Sequence, residues 1–190
     1  MGHDKVELLE GSFEDWKEAG GPVEDGFKKS VDVDALPSTP PAYQATAPRQ
    51  VASMQDVVNV VAGEDKKDAV LLDARAADRF SGAVAEPRPG LRRGHMPGAI
   101  NLPHTILLDS DNVSVLKSKE EIKELLVAAG VDPDDERDII TTCGSGVTAC
   151  TLALALEYVG RDPSKTFVYD GSWIEWGPED AETPVETTSD

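Results

Sequence analysis

The sequence is poor in the residues that staple a fold, ligate metals or bind polyanions. It has only two cysteines, Cys143 and Cys150, in 190 residues, which rules out a disulfide framework. Its three histidines, His3, His95 and His104, are scattered without ligand spacing, so no zinc site is implied. Basic residues number 18 against 36 acidic ones, for a formal net charge of −18. Such a surface repels nucleic-acid phosphates. No apolar run approaches the length of a membrane span. The start, Met1-Gly2-His3-Asp4-Lys5-Val6, is neither a signal peptide nor an Arg-rich transit sequence. These absences point to a soluble intracellular protein without nucleic-acid or membrane partners, with cytoplasm and mitochondrion both open.

What is present centres on Cys143. The run Thr142-Cys143-Gly144-Ser145-Gly146-Val147-Thr148-Ala149 joins an apolar strand, Asp138 to Thr141, to a helical run from Val147 to Val159. Backbone N–H groups in such a turn can point inward, and the helix start adds partial positive charge. A thiol held there is biased toward thiolate, the nucleophilic form. Cys150, by contrast, reads as a small apolar residue facing the core.

The remaining chain reads as alternating strands and helices. Val51 to Ala62 has helical spacing, with Ser53 as N-cap and Gly63 as stop. Ala69 to Leu72 and Ala99 to Leu102 are strand candidates separated by a Gly/Pro/Arg-rich stretch, residues 81–98. Ser118-Lys119-Glu120-Glu121 is a capping box that opens a helix to Ala129, stopped by Gly130. Thr166 to Tyr169 is the last strand. The pattern predicts an α/β fold, with a mostly parallel sheet flanked by helices on both faces. In such sheets reactive groups collect beyond the carboxyl ends of the strands, which would gather Asp73, the arginines, Cys143 and Asp170.

Before that core, residues 1–23 hold a strand-like run, Val6 to Leu9, and an amphipathic turn around Phe13 and Trp16. Residues 24–50 read as a proline-interrupted linker, and the end from Glu179 as a solvated acidic tail. Five of the arginines (Arg75, Arg79, Arg88, Arg92 and Arg93) fall between residues 75 and 93. They read either as surface pairs of Asp73, Asp78 and Glu86 or as an anion site. Their placement after a strand favours the anion site.

Three other chemistries fail on spacing. Gly144-x-Gly146-x-x-Ala149 with Asp170 fits a dinucleotide fingerprint, but too little chain follows to build the second half of that fold. A cysteine phosphatase needs arginine where Ala149 stands. A serine-hydrolase elbow needs glycines where Cys143 and Val147 stand.

The segment Cys143-Gly144-Ser145-Gly146-Val147-Thr148-Ala149-Cys150 resembles the active-site loop of the rhodanese superfamily, in the form used by 3-mercaptopyruvate sulfurtransferases. Further stretches agree: Leu72-Asp73-Ala74-Arg75, Glu86-Pro87-Arg88-Pro89-Gly90, Gly94-His95-Met96-Pro97-Gly98 and Tyr169-Asp170-Gly171-Ser172-Trp173. The resemblance covers residues 51–177, a rhodanese-like catalytic domain, with 178–190 as an acidic tail. Residues 1–23 are similar to the end of a first rhodanese domain. The chain thus resembles the C-terminal catalytic domain of a two-domain 3-mercaptopyruvate/thiosulfate sulfurtransferase.

That resemblance implies a Cys143 persulfide, formed from 3-mercaptopyruvate or, second, thiosulfate, and delivered to cyanide or a thiol such as thioredoxin. No cofactor and no metal is implied. Gly144, Gly146, Val147 and Thr148 would hold the persulfide, and Arg79 and Arg88 match the arginines that seat the substrate carboxylate. Ser145 matches a serine thought to move a proton, and reads equally as a turn residue bonding the backbone. Asp73 is expected to hold loops. His95 reads as turn chemistry. Trp173 and Trp176 read as packing residues or as walls of the site mouth. The alternative is a weakly active module that binds a protein partner or delivers sulfur to it.

Overall fold

The structure is a computed structural model that describes residues 7–26, 50–63 and 69–188. The chain divides into two compact units, Met1–Arg49 and Gln50–Asp190. In the first, Ser12 caps the short helix α1 (Phe13–Glu18) in a reciprocal box with Asp15. The Trp16 indole donates to the Pro22 carbonyl at 3.1 Å. Glu7 to Leu9 are exposed and form no strand, which corrects the expectation for that run. With no partner strand among the described residues, their backbone cannot be satisfied as sheet. Val6, Gly2, His3 and most of the expected linker lie outside the described residues.

The second unit is built on five parallel strands in the order β1-β5-β4-β2-β3. Their spans are β1 (Val51–Ala52), β2 (Ala69–Asp73), β3 (Ile100–Asn101), β4 (Asp138–Thr142) and β5 (Thr166–Tyr169). The central pair aligns Leu72 with Thr141 and Asp73 with Thr142, so both strands deliver their last residues at one level. Side chains alternate between two cores. On one face Leu72 and Ile139 meet Ile122 and Leu126 of α4 (Lys119–Ala128) and Leu152 and Leu156 of α5 (Ala149–Tyr158). On the other, Leu71, Ile140 and Tyr169 meet Val57 of α2 (Met54–Ala62) and Trp173 and Trp176 of α6 (Ser172–Trp176). The α/β layer with a parallel sheet predicted from the strand–helix alternation is therefore the one observed. Burial on both faces explains why the central strands read as continuous apolar runs.

The indoles of Trp173 and Trp176 are fully buried and belong to the core. Each removes roughly 200 Å² from water, a gross gain on the order of 5 kcal/mol.

Several elements differ from the sequence expectation. Ser53 and Ser118 do cap helices with complete capping boxes. The Ser53 backbone is extended, however, so Val51–Ala52 run into the sheet beside Val168–Tyr169 rather than opening the helix. Two five-residue helices, α3 (Ala77–Ser81) and α6, were not foreseen. They are too short to show helical periodicity.

The end of the chain is also revised. Residues 178–188 form a strap bound to the domain, not a solvated tail. Val185 packs on the tryptophan core, the Trp176 indole donates to the Pro184 carbonyl at 2.8 Å, and Glu186 bridges His95 through the backbone. Among the described residues no helix is long and apolar enough to cross a membrane.

Candidate active site

β4 carries the chain to Cys143 at the carboxyl end of the sheet, and α5 starts six residues later. Cys143 is 2% exposed. Burial is the largest single influence on its thiol and by itself raises the pKa. It is outweighed by the Thr148 hydroxyl and by the amides of Ser145, Ala149 and Thr148, all donating to the sulfur, and the net direction is downward. The Ser145 N–H lies 3.4 Å from Sγ. Donors aimed at a buried sulfur stabilise its anion, and the start of a ten-residue helix adds to the effect.

The loop reaches this shape through Gly146. Its φ is +83°, and a Cβ there would lie 2.8 Å from both the backbone and the carboxylate oxygens of Asp170. Only glycine satisfies both demands. Behind the loop stands α6. The Cys143 N–H donates to Ser172 Oγ at 3.2 Å, while the Trp173 and Ile174 amides donate to the Cys143 and Gly144 carbonyls at 3.0 and 3.1 Å. Ser172 Oγ donates to the Tyr169 carbonyl at 2.8 Å. With these carbonyls held from behind, the following amides turn toward the sulfur.

The arginine segment does reach this loop, through Arg79. A Cβ placed on Gly144 would lie 3.0 Å from Arg79 Nη2. Glu86 fixes that guanidinium, accepting from Nε at 3.2 Å and Nη2 at 2.5 Å. Nη1 has no acceptor among the described residues. Glu86 also takes Arg75 Nη1 at 3.0 Å. Arg75 is buried, forks onto Asp73 (Nη2 at 2.6 Å) and lies 4.2 Å over the Trp173 ring. Asp73 is thus occupied as an acceptor for Arg75. Arg88 is exposed and has no ion pair among the described residues. Val147 stands 74% exposed on the rim, and Ser145 contributes its amide to the sulfur while its hydroxyl makes no described hydrogen bond.

Two other expectations are settled by position. Cys150 is exposed, which corrects its reading as a core residue. As the second residue of α5 it faces outward, its thiol donating to the Gly146 carbonyl at 3.6 Å. Its pKa is raised by partial burial of the sulfur and by the negative charges of Cys143 and Asp170. His95 stacks on Phe80 with ring centroids 3.8 Å apart, and Nδ1 pairs with the Phe80 carbonyl. Sequence reasoning missed Ala149 and Ser172 as parts of this site, and named Glu86 only as an ion-pair partner of the arginines. Ala149 was recoverable from its place at the start of the helix, whereas the others depend on contacts across the fold.

The rhodanese-like domain pattern matches residues 56–179. The 3-mercaptopyruvate sulfurtransferase of Mus musculus is 36% identical over 176 residues, 93% of this chain and 54% of that protein. The enzyme of the same name from Escherichia coli K12 is 37% identical over 186 residues, 98% of this chain and 60% of that protein. The crystal structure of Tum1 from Saccharomyces cerevisiae superposes with a TM-score of 0.68 at 32% identity, covering 92% of this chain and 58% of that one. The chain spans little more than half the length of these relatives.

Proposed function

The chain belongs to the rhodanese-like domain family, and from that premise we propose that it is a sulfurtransferase that moves sulfane sulfur from 3-mercaptopyruvate through a Cys143 persulfide. The observation that carries this reading is the Cys143 thiol, buried yet depressed in pKa by converging donors, with the Arg79 guanidinium against the same loop.

The Cys143 thiolate attacks the sulfur of mercaptopyruvate. An S–S bond forms and the substrate C–S bond breaks. The electron pair leaves with carbon as the enolate, which takes the substrate's thiol proton and departs as pyruvate. The persulfide remains as an anion. It meets the donors that held the thiolate, so little reorganisation is required. Arg79 binds the substrate carboxylate through its Nη1 edge, with Arg88 closing over it from the exposed loop. An acceptor thiolate, or cyanide, then attacks the outer sulfur and returns Cys143 as thiolate. Gly144 leaves Arg79 room to approach, and Gly146 holds the turn that aims the donors. A protein thiol such as thioredoxin fits the acceptor role.

Mass spectrometry after exposure to mercaptopyruvate tests this. The intact protein should gain one sulfur, and Cys143→Ser should gain none. Folded wild-type protein that gains none sinks the reading. Steady-state rates with mercaptopyruvate against thiosulfate, with and without thioredoxin, identify donor and acceptor.

A further inference from the structure

The strap is fastened to both flanks of the segment that supplies Glu86. At one end the Thr188 N–H donates to the carbonyl of Ser81 at 3.1 Å, two residues beyond Arg79 on α3. At the other, Arg92 Nη1 donates to the Thr183 carbonyl at 2.7 Å, and Nη2 donates to Thr183 Oγ1 at 2.6 Å and to the Trp176 carbonyl at 2.9 Å. Thr183 Oγ1 donates in turn to the Trp176 carbonyl. His95 and Glu186 exchange N–H···O bonds of 2.8 and 2.9 Å. Beside them Gly94, whose Cβ position lies 2.2 Å from the Glu186 carbonyl oxygen, accepts from Arg75 Nη2 at 2.9 Å. Among the described residues the strap makes no hydrogen bond to the Cys143–Thr148 loop.

Between these two anchors residues 82–91 are irregular apart from the Leu91–Pro178 bridge, and they present Glu86 to Arg79. An arginine side chain has several rotatable bonds, and its affinity for a carboxylate depends on having them fixed beforehand. Glu86 does the fixing, and it sits on a loop with little regular structure of its own. Beyond Glu86 this loop is fastened by backbone bonds of Gly90 with Glu179 and of Arg92 with Gly177, and by the Arg92 guanidinium on Thr183.

We propose that Thr183 is a positioning residue for anion binding: by clasping Arg92 it sets the loop on which Glu86 presents Arg79 to the donor's carboxylate. The inference rests on the sulfurtransferase reading and extends it to a residue 40 positions beyond the nucleophile. It predicts a separation of effects. Loosening the clasp should weaken donor binding and leave the thiol untouched, because the strap does not touch the thiol's donors.

The test is Thr183→Val in the full chain, which keeps shape and removes the hydroxyl. KM for mercaptopyruvate should rise about threefold to tenfold with kcat near wild type. The pH titration of Cys143, followed by ultraviolet thiolate absorbance with Cys143→Ser as blank, should not move. In an Arg79→Ala background the same substitution should have no further effect on KM, because both act on one interaction. Thr183→Ser, which restores the hydroxyl, should recover the wild-type KM. Unchanged KM in Thr183→Val, or full additivity with Arg79→Ala, overturns the proposal. A shifted thiol titration does so too, since it would mark a general loosening. Wild-type protein that forms no persulfide from mercaptopyruvate removes the sulfurtransferase reading and this inference together. Normal persulfide loading with an unmoved KM removes the inference alone.

Discussion

Ser172 sits directly behind Cys143 in a left-handed backbone, φ +48°, and accepts the Cys143 amide at 3.2 Å. It is the one described non-glycine residue with positive φ, a conformation that costs an L-residue about 1–2 kcal/mol. The strain is tolerated because the hydroxyl has three partners: the Cys143 amide, the Thr142 hydroxyl and the Tyr169 carbonyl.

Replacing Ser172 separates these contributions. Ser172→Ala keeps the strain and orphans a buried amide, so stability should fall by about 1–3 kcal/mol in urea denaturation. Ser172→Gly loses the same bonds but relieves the backbone, and should be the more stable of the two. In both variants the Cys143 thiolate titration should move to higher pH as the amides behind the loop are released.

Thr148→Val should raise the Cys143 pKa by removing the side-chain donor to the sulfur. The amides remain, so the protein should still fold. The fraction of thiolate at neutral pH falls, and the rate of persulfide loading falls with it, about tenfold for each unit of upward shift. Single-turnover loading measured across pH checks this. The variant should approach the wild-type rate only at alkaline pH.

The same shift makes a statement about stability. The folded thiol titrates below the unfolded one, whose pKa is about 8.5. Its contribution is therefore fully present above the unfolded value and lost as pH falls through the lowered folded value. Wild type should lose stability relative to Cys143→Ser over that window, with the difference between them constant at lower pH. Thermal melts of the pair across the window show it, and parallel curves would refute the assignment.

Gly146→Ala should be among the most damaging single substitutions in the domain. It adds a methyl 2.8 Å from two Asp170 oxygens at a φ of +83°. A loss of about 2 kcal/mol or more is expected in denaturant titration, together with loss of persulfide formation. Gly144→Ala should be milder to the fold, since it meets the Arg79 side chain rather than backbone and has no positive φ. Its effect should fall mainly on KM.

Glu86→Gln tests the buried arginine pair. The Glu86 carboxylate is 2% exposed and serves both Arg75 and Arg79. An amide of the same shape retains an acceptor but removes the carboxylate charge that Arg79 pairs with and that Arg75 shares with Asp73, so a loss of about 2 kcal/mol is expected by denaturation. KM for an anionic donor should rise as Arg79 loosens.

Much of this architecture could be read from local sequence, because local chemistry decides it. Ser53 and Ser118 announce helix starts through capping boxes closed within three residues. The runs around Leu71 and Ile139 announce strands covered on both faces, and the glycines around Ser145 announce the turn after Cys143. What escaped depends on partners far along the chain. Arg92 meets Thr183 across 91 positions, and Ser172 meets Cys143 across 29. The acidic composition after Glu179 suggested solvent, yet the backbone of that segment, rather than its carboxylates, makes most of its bonds. Cys150 was misplaced because the outward side of a helix's first turn depends on where the helix starts. The helix begins at Ala149, two residues later than its apolar pattern suggested.

The depth of Cys143 has one more consequence. In the resting protein the sulfur lies at the floor of the loop, where bulky oxidants and thiol-reactive compounds find little to grip. In the proposed cycle the transferred sulfur would sit about 2 Å beyond Sγ, so an acceptor would have to reach that atom and not the buried cysteine. Selection between acceptors would then fall to the outer sulfur and its immediate surroundings.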